Sequence, residues 1–357
     1  MILESLHTRV AAGISESYAL FIRVEPLTIE VRTNSAPLCD RLREYFLDLV
    51  VAPRSSDLTF HAIQSAPPSL GLSFTPWRRE INKRGLKEEF VDVPGGRVVH
   101  KVRTGMQFLV GDSIRTAVGD CLTNYNQVVN FINSQIIVHY LDQGWQLCHA
   151  AAVVKGNNGL AIAAAAGSGK STLALHLISA GLDFASNDRL LVSGAGGNAR
   201  MAGIPKLPRV NPGTLLGNPD LNGVLSPSRA NELSQLDPGE LWALEEKYDV
   251  DIASIYGRDR TRYFAPLRAL LILTWTRDGQ TPAEIVPVSL PERLDLLQLV
   301  MKPAGPFYTK TSADVAPEDT LDSARYLSAL ANVPCYEARG CADFPFAVQH
   351  CLKHLLS

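Results

Sequence analysis

The segment that most constrains this chain is a run of small residues at positions 163–172, Ala-Ala-Ala-Ala-Gly-Ser-Gly-Lys-Ser-Thr. An apolar stretch typical of a buried strand precedes it, and the spacing of apolar residues over 171–180 predicts a helix that ends at Gly181. Small residues between a strand and a helix let successive backbone N–H groups converge on phosphate oxygens, and the helix N-terminus adds a favourable dipole. The segment therefore predicts a nucleotide-phosphate site in an α/β fold.

The predicted phosphate loop departs from its usual pattern at the first position, where Ala164 replaces glycine. Alanine is compatible with this position if the backbone angle is one that it can reach. Lys170 is expected on the phosphates and Ser171 on Mg²⁺. No Asn/Thr-Lys-x-Asp segment that would read guanine follows, so ATP is the expected nucleotide. The predicted cofactor-binding residues are Ala166, Gly167, Ser168, Gly169, Lys170, Ser171 and Thr172. The alternative is a turn that caps a helix without binding a ligand.

Charge and composition exclude several classes of partner. Lysine and arginine number 34 and aspartate and glutamate 36, so the formal charge is −2 and no nucleic-acid partner is expected. The apolar run over 150–166 contains Lys155 and falls short of the roughly 20 residues of a membrane span. Residues 1–23 lack the pattern of a secretory signal. The cysteines are never spaced C-x-x-C, which favours free thiols in a reducing compartment. We expect a cytoplasmic homo-oligomer without a membrane partner.

The chain is predicted to have two domains. Residues 1–114 form an N-terminal domain of mixed α and β structure and unknown role, and residues 115–357 form the domain that carries the phosphate loop. Residues 194–239 are rich in Gly, Pro, Asn and Ser, which predicts an ordered surface excursion and not a packed helix pair. The other predicted strands lie over 19–30, 97–110 and 267–275, and over 182–192 with an interruption at Ser186-Asn187-Asp188-Arg189. Helices are predicted over 37–51, 124–142, 290–301 and 342–356, and a hairpin joins 146–155 to 160–164.

The chain resembles the HPr kinase/phosphorylase superfamily, specifically the HprK-related kinases, whose catalytic fold is similar to that of phosphoenolpyruvate carboxykinase. The resemblance covers residues 124–215 and implies a P-loop kinase domain of that type over 115–357. The segments that carry it are Asn-Gln-Val-Val-Asn-Phe-Ile-Asn at 126–133, Cys148-His149-Ala150-Ala151, the phosphate loop and Ser186-Asn187-Asp188-Arg189, with Gly-Ile-Pro-Lys-Leu-Pro-Arg at 203–209 as a fifth.

The resemblance also implies roles for individual residues. His149 matches a histidine beside the reacting groups, Asp188 matches the second carboxylate of an Asp-Asp pair that holds metal, and Arg209 matches the arginine of a Leu-Glu-Ile-Arg-Gly signature. Asn187 stands where the family has its proton-accepting aspartate, and Leu207 stands where the signature has glutamate. The predicted catalytic residues are His149, Asp188, Asn187 and Arg209, and the predicted metal residues are Ser171 and Asp188.

The residues themselves leave alternatives open. His149 lies in an apolar run, where a histidine can be a hydrogen-bonded core residue, and Asp188 can simply form a turn. Lys206 and Arg209 lie in a segment that Pro205 and Pro208 keep from being a helix interior, and they suit either an anionic ligand or exposure to solvent.

Together these features predict an ATP-dependent transfer of the γ-phosphoryl group to an alcohol. An amide cannot take a proton from a hydroxyl, so Asn187 slightly favours a small acceptor such as a sugar or polyol over a protein serine. The alternatives are a protein serine kinase of HPr kinase type and a nucleotide-binding regulatory protein that catalyses nothing.

Overall fold

The computed structural model describes residues 2–66, 68–78, 85–244, 246–277, 280–310 and 321–357. The chain is a mixed α/β protein that divides into two compact units, Met1–Gln143 with Pro303–Leu321 and Gly144–Lys302 with Asp322–Ser357. The predicted domain boundary at 114/115 precedes the helix over 125–142, whereas the division between the units follows it. The helix belongs with the first unit because its Phe131 packs against Phe60 and Phe108.

The first unit is built around a sheet in the order β1-β2-β3-β8-β7-β6-β5-β4. The β2–β3 and β3–β8 pairs are parallel, and the remaining neighbours are antiparallel. The predicted strand over 19–30 is a hairpin that turns at Glu25-Pro26, and the predicted helix over 37–51 ends its α-helical part at Tyr45. The elements are α1 (Leu3–Ala11), β1 (Tyr18–Val24), β2 (Leu27–Thr33), α2 (Ala36–Tyr45), β3 (Leu58–Gln64), β4 (Thr75–Pro76), β5 (Glu88–Val93), β6 (Gly96–Lys101), β7 (Gln107–Val110), β8 (Arg115–Gly119) and α3 (Tyr125–Asp142).

The second unit contains the predicted phosphate loop. Its elements are β9 (Gln146–Cys148), β10 (Ala150–Lys155), β11 (Asn158–Ala164), α4 (Lys170–Ser179), β12 (Asp183–Ser186), β13 (Leu190–Ser193), β14 (Arg200–Ala202), β15 (Arg209–Val210), α5 (Pro212–Leu216), α6 (Pro227–Ser234), α7 (Pro238–Ala243), β16 (Tyr248–Asp249), α8 (Ile252–Tyr256), β17 (Phe264–Leu273), β18 (Glu284–Val288), α9 (Leu294–Val300), α10 (Ser323–Leu330), β19 (Cys335–Arg339) and α11 (Phe344–His350), which continues as a π-helical turn over Cys351–Leu355.

The sheet of the second unit runs β12-β10-β11-β17-β14-β13-β9, and β19 and β18 extend it beside β17. The pairs β11–β17 and β17–β19 are parallel, so these strands bring their carboxyl ends to one edge. Apolar residues of β10, β11 and β17 pack with α4 and α11 in a common core. The predicted hairpin is confirmed, since β10 and β11 pair antiparallel around a two-residue turn at Gly156-Asn157.

The prediction of a surface excursion over 194–239 is wrong. These residues form β14, β15 and the three short helices α5, α6 and α7. Leu215 of α5 and Leu233 of α6 are buried in the core of the second unit. Leu221 and Leu225, from the connection between these two helices, are buried there as well. Helix α9 covers Leu294–Val300 and is shorter than the predicted helix over 290–301. Within the described ranges no helix is long and apolar enough to cross a membrane.

Candidate functional site

The loop between β11 and α4 contains two glycines whose backbone angles lie in the left-handed region of φ and ψ. Gly167 has φ +80° and Gly169 has φ +92°. Ala164 lies before them as the last residue of β11, where it pairs with Leu273 of β17. A strand residue keeps an extended backbone, which alanine adopts without strain, so the missing first glycine is compatible with this loop.

Lys170 begins α4 and is almost fully buried beneath the loop, with 7% of its surface exposed. Its Nζ donates hydrogen bonds to the carbonyl oxygens of Ala164 at 2.9 Å and Ala165 at 3.2 Å. Burial, together with the neighbouring charge of Lys302, lowers the pKa of Lys170 to about 8, although Asp188 acts in the opposite direction. The ammonium group is thus poorly hydrated and held by two neutral acceptors, an arrangement that a nearby anion would stabilise.

Aromatic and guanidinium side chains fix the loop from outside. The indole Nε1 of Trp275 donates to the Ser168 carbonyl at 3.0 Å, and Arg277 Nη2 donates to the Gly167 carbonyl at 3.3 Å. A Cβ placed on Gly169 would lie 2.8 Å from Cζ of Phe344. The loop conformation is therefore set by its own glycines and by three side chains that follow β17 or begin α11.

The predicted cofactor-binding residues line a single cavity of about 520 Å³. The cavity brings together the loop and the first turn of α4 with cationic and aromatic side chains from other segments. Within it, Arg277 lies 4.2 Å above the ring of Trp242. Thr172 is buried, and its hydroxyl bonds to that of Thr214 at 2.8 Å, so it connects α4 to α5. The lining comprises Ala166, Gly167, Ser168, Gly169, Lys170, Ser171, Thr172, Arg209, Val210, Asn211, Thr214, Trp242, Lys247, Trp275, Arg277, Ala342 and Phe344.

His149 lies at a bend where the chain exchanges one sheet partner for another. Before it, Cys148 of β9 pairs with Leu190 of β13, and after it, Ala152 of β10 pairs with Ser186 of β12. Residues 187–189 form the connection between β12 and β13. The break between β9 and β10 therefore lies beside the break between β12 and β13. This register sets His149 opposite the turn that carries Asn187 and Asp188.

The turn at 187–189 is closed by Ser186, whose hydroxyl donates to the Arg189 carbonyl at 2.6 Å. Burial raises the pKa of Asp188, but the positive charge of Lys302, followed by those of Arg189 and Lys206, outweighs burial and holds that pKa below its usual range. Asp188 is therefore a half-buried carboxylate that stays ionised at neutral pH. Asn187 is half-buried in the same turn.

Arg209 takes a different place from the predicted catalytic residues at the turn. It begins β15, is half-exposed, and pairs with Asp249 of β16 at 2.9 Å. It lines the cavity beside the phosphate loop. Lys206, three residues earlier, is close enough to Asp188 to lower the pKa of that carboxylate.

Several residues at the site carry no sequence signal of their own. Lys302 follows a short helix, Lys247 lies in a polar connection, and Trp242 and Arg277 come from separate segments. Trp242, Lys247 and Arg277 reach the cavity because β17 ends beside β11 and because α5 and α7 lie near the first turn of α4. Lys302 is placed by the bridge between Cys148 and Met301.

Metal-binding capacity is concentrated in few groups. The part of the chain that the structure describes contains no cluster of three or more His, Cys, Asp or Glu side chains suited to a metal. Mg²⁺ at a nucleotide site commonly takes only one or two protein ligands, because phosphates and water supply the others. One ionised carboxylate, Asp188, and one hydroxyl, Ser171, fit that requirement.

Comparisons with known proteins do not assign a family. No protein-family model matches the chain, and no curated protein sequence matches it. Among solved structures, the HPr(Ser) kinase/phosphatase from Coxiella burnetii aligns with 58% of this chain and 90% of its own, at 11% sequence identity and a TM-score of 0.29. A TM-score of this size carries no argument about fold or activity, so membership of the HPr kinase superfamily stays a prediction.

Proposed function

We propose that the unit formed by residues 144–302 and 322–357 is an ATP-dependent kinase of P-loop type. The observation that carries the proposal is the loop between β11 and α4, with two left-handed glycines and the buried ammonium of Lys170 at the helix start. Phosphate oxygens of a nucleotide in the loop would accept hydrogen bonds from the backbone N–H groups of the first turn of α4. They would also replace the two carbonyls that hold Lys170, exchanging neutral acceptors for anionic ones.

The cavity beside the loop suits the rest of a nucleotide. Its volume of about 520 Å³ falls in the range of small-molecule sites, roughly 300–1,000 Å³. Arg209, Lys247 and Arg277 add positive charge around the position of the phosphates. The stacking of Arg277 on Trp242 holds the guanidinium in the cavity wall.

Mg²⁺, when bound, would supply charge neutralisation on the transferring phosphoryl group. Asp188 and Ser171 are the residues that would hold it. Asp188 meets the demand for a charged oxygen ligand, since its surroundings keep it ionised despite partial burial.

The acceptor hydroxyl must give up its proton without the aspartate that Asn187 replaces. His149 lies opposite the turn and Asp188 lies within it, so either can receive this proton. A loose, metaphosphate-like transition state makes little demand on a base, and activity is compatible with a weaker acceptor. We favour a small alcohol such as a sugar or polyol, with a protein serine as the second acceptor class.

A second candidate function is nucleotide binding without catalysis, in a regulatory role. The specific observation in its favour is Asn187, whose amide has no capacity to act as a base.

A single-turnover assay with γ-labelled ATP separates the two candidates. The wild-type chain is incubated with Mg²⁺ and either a library of alcohols or a protein extract, and label transfer and nucleotide release are followed. A kinase labels an acceptor, and Lys170→Met abolishes the labelling. Lys353→Met, which changes an exposed lysine on the last helical turn, serves as the matched control. Retention of unhydrolysed ATP by the wild type would support the regulatory function, and absence of ATP binding would refute both.

A further inference from the structure

The segment that ends α9 runs antiparallel to β9 and brings Lys302 beside His149. His149 donates its backbone N–H to the Val300 carbonyl at 2.7 Å, and Lys302 donates its own to the Leu147 carbonyl at 3.2 Å. Between these two hydrogen bonds, Cys148 and Met301 form an antiparallel β-bridge. In this pattern residues alternate between faces, so His149 and Lys302 are diagonal neighbours on one face while Cys148 and Met301 share the other.

The backbone of Lys302 is fixed by a buried tyrosine. The hydroxyl of Tyr326 donates to the Leu147 carbonyl at 2.5 Å and accepts the backbone N–H of Lys302 at 3.3 Å. Tyr326 is only 3% exposed. The hydroxyl therefore connects β9 to the segment after α9 and fixes the backbone position from which the Lys302 side chain extends.

Lys302 also acts electrostatically on both sides of the site. After burial, the charge of Lys302 has the largest effect on the pKa of Lys170 and on the pKa of Asp188, and it lowers both. Lys170, Lys302, Lys206 and Arg189 thus lie around a single carboxylate, Asp188. Positive charge is in excess there, and a bound polyanion would relieve the repulsion.

We propose that Lys302 is a catalytic residue whose ammonium contacts the transferring phosphoryl group as a second cation besides Lys170. This inference rests on the proposed kinase function. Lys170 extends from the phosphate loop, whereas Lys302 extends from the side of His149 and Asp188, where the acceptor is expected. Lys302 therefore stabilises the phosphoryl group in transit and contributes little to holding ADP.

The test compares capture of Mg·ADP alone with capture of Mg·ADP plus aluminium fluoride, which imitates the planar phosphoryl group in transit. Lys302→Met should leave the affinity for Mg·ADP within about twofold and weaken capture of the aluminium fluoride complex about 10- to 100-fold, the range for one charge-assisted hydrogen bond. Lys302→Arg should recover part of the loss, and Lys353→Met should bind both probes like the wild type.

A merely structural Lys302 would give a different pattern. If Lys302→Met weakened both probes equally, or neither, the inference would be overturned while the kinase proposal stood. If the wild type bound Mg·ADP no better than Lys170→Met did, the kinase proposal itself would be refuted, and with it the inference about Lys302.

A second measurement avoids substitution, in case Lys302→Met does not fold. Acetylation of the wild-type protein, read by mass spectrometry, should show Lys302 protected by Mg·ADP with aluminium fluoride but not by Mg·ADP. Equal labelling of Lys302 in both conditions would also overturn the inference.

Discussion

Two alanine substitutions in the phosphate loop separate backbone strain from side-chain contact. Gly167 and Gly169 both have left-handed backbones, with φ of +80° and +92°. A Cβ on Gly167 would meet nothing within 4 Å, whereas a Cβ on Gly169 would lie 2.8 Å and 3.0 Å from two ring atoms of Phe344. Phe344 cannot swing aside freely because Trp275 packs edge-on against it at 5.2 Å.

The expected magnitudes follow from these contacts. A left-handed alanine costs about 1–2 kcal/mol, and this cost is shared by both variants. Overpacking against a fixed ring adds about 1–3 kcal/mol at Gly169 only. Gly167→Ala should therefore lower the free energy of unfolding by about 1–2 kcal/mol and Gly169→Ala by about 2–5 kcal/mol.

Urea unfolding of the full chain, followed by circular dichroism, measures both losses. The same pair of substitutions in a Phe344→Leu background should differ less, because the smaller side chain removes the clash. Equal losses from Gly167→Ala and Gly169→Ala in the wild-type background would refute the role assigned to Phe344.

Three further predictions concern the charged residues of the second unit. Asp188→Asn should reduce Mg²⁺-dependent ATP turnover far more than Asn187→Ala does, because only the carboxylate supplies charge to the metal; equal losses in a turnover assay would mean that the metal residue is misplaced. His149→Ala should lower turnover about 10²- to 10⁴-fold with ATP affinity nearly unchanged, as expected for a positioned proton acceptor, whereas a folded variant with full turnover would exclude His149 from the chemistry. Burial alone would raise the pKa of Glu337, but the hydrogen bond from Arg293 contributes to a net lowering. Glu337→Gln should therefore cost about 1–3 kcal/mol at pH 7. The difference from wild type should shrink as the pH falls through the lowered pKa, and a difference in urea unfolding that did not shrink on acidification would contradict this account.

Local signals in the sequence predicted the elements whose cause is local. The apolar spacing of α3, the turn at Gly156-Asn157 and the small residues before Lys170 each specify a structure without reference to distant segments. The helices within 194–239 also had such a signal. Proline follows Ser226 and Asp237, and each of these two residues caps the helix that begins after it.

The remaining features depend on tertiary pairing and could not be predicted from local pattern. The residues from 146 to 155 look like one apolar strand, yet the chain changes partners at His149. The approach of Lys302 depends on the bridge between Cys148 and Met301, and the stack of Arg277 on Trp242 joins segments that sequence spacing does not relate.

The parallel pairing of β11 with β17 has a consequence for engineering this chain. Ala164 lies opposite Leu273, so the phosphate loop and the segment with Trp275 leave the sheet at the same level. One residue inserted in β17 would turn every later side chain of that strand to the other face and carry the Trp275 indole away from Ser168. The far end of β11 is different, because Gly156 and Asn157 of its turn are exposed and a longer turn leaves the strand register unchanged. A fluorescent or affinity tag is therefore best inserted between these two residues.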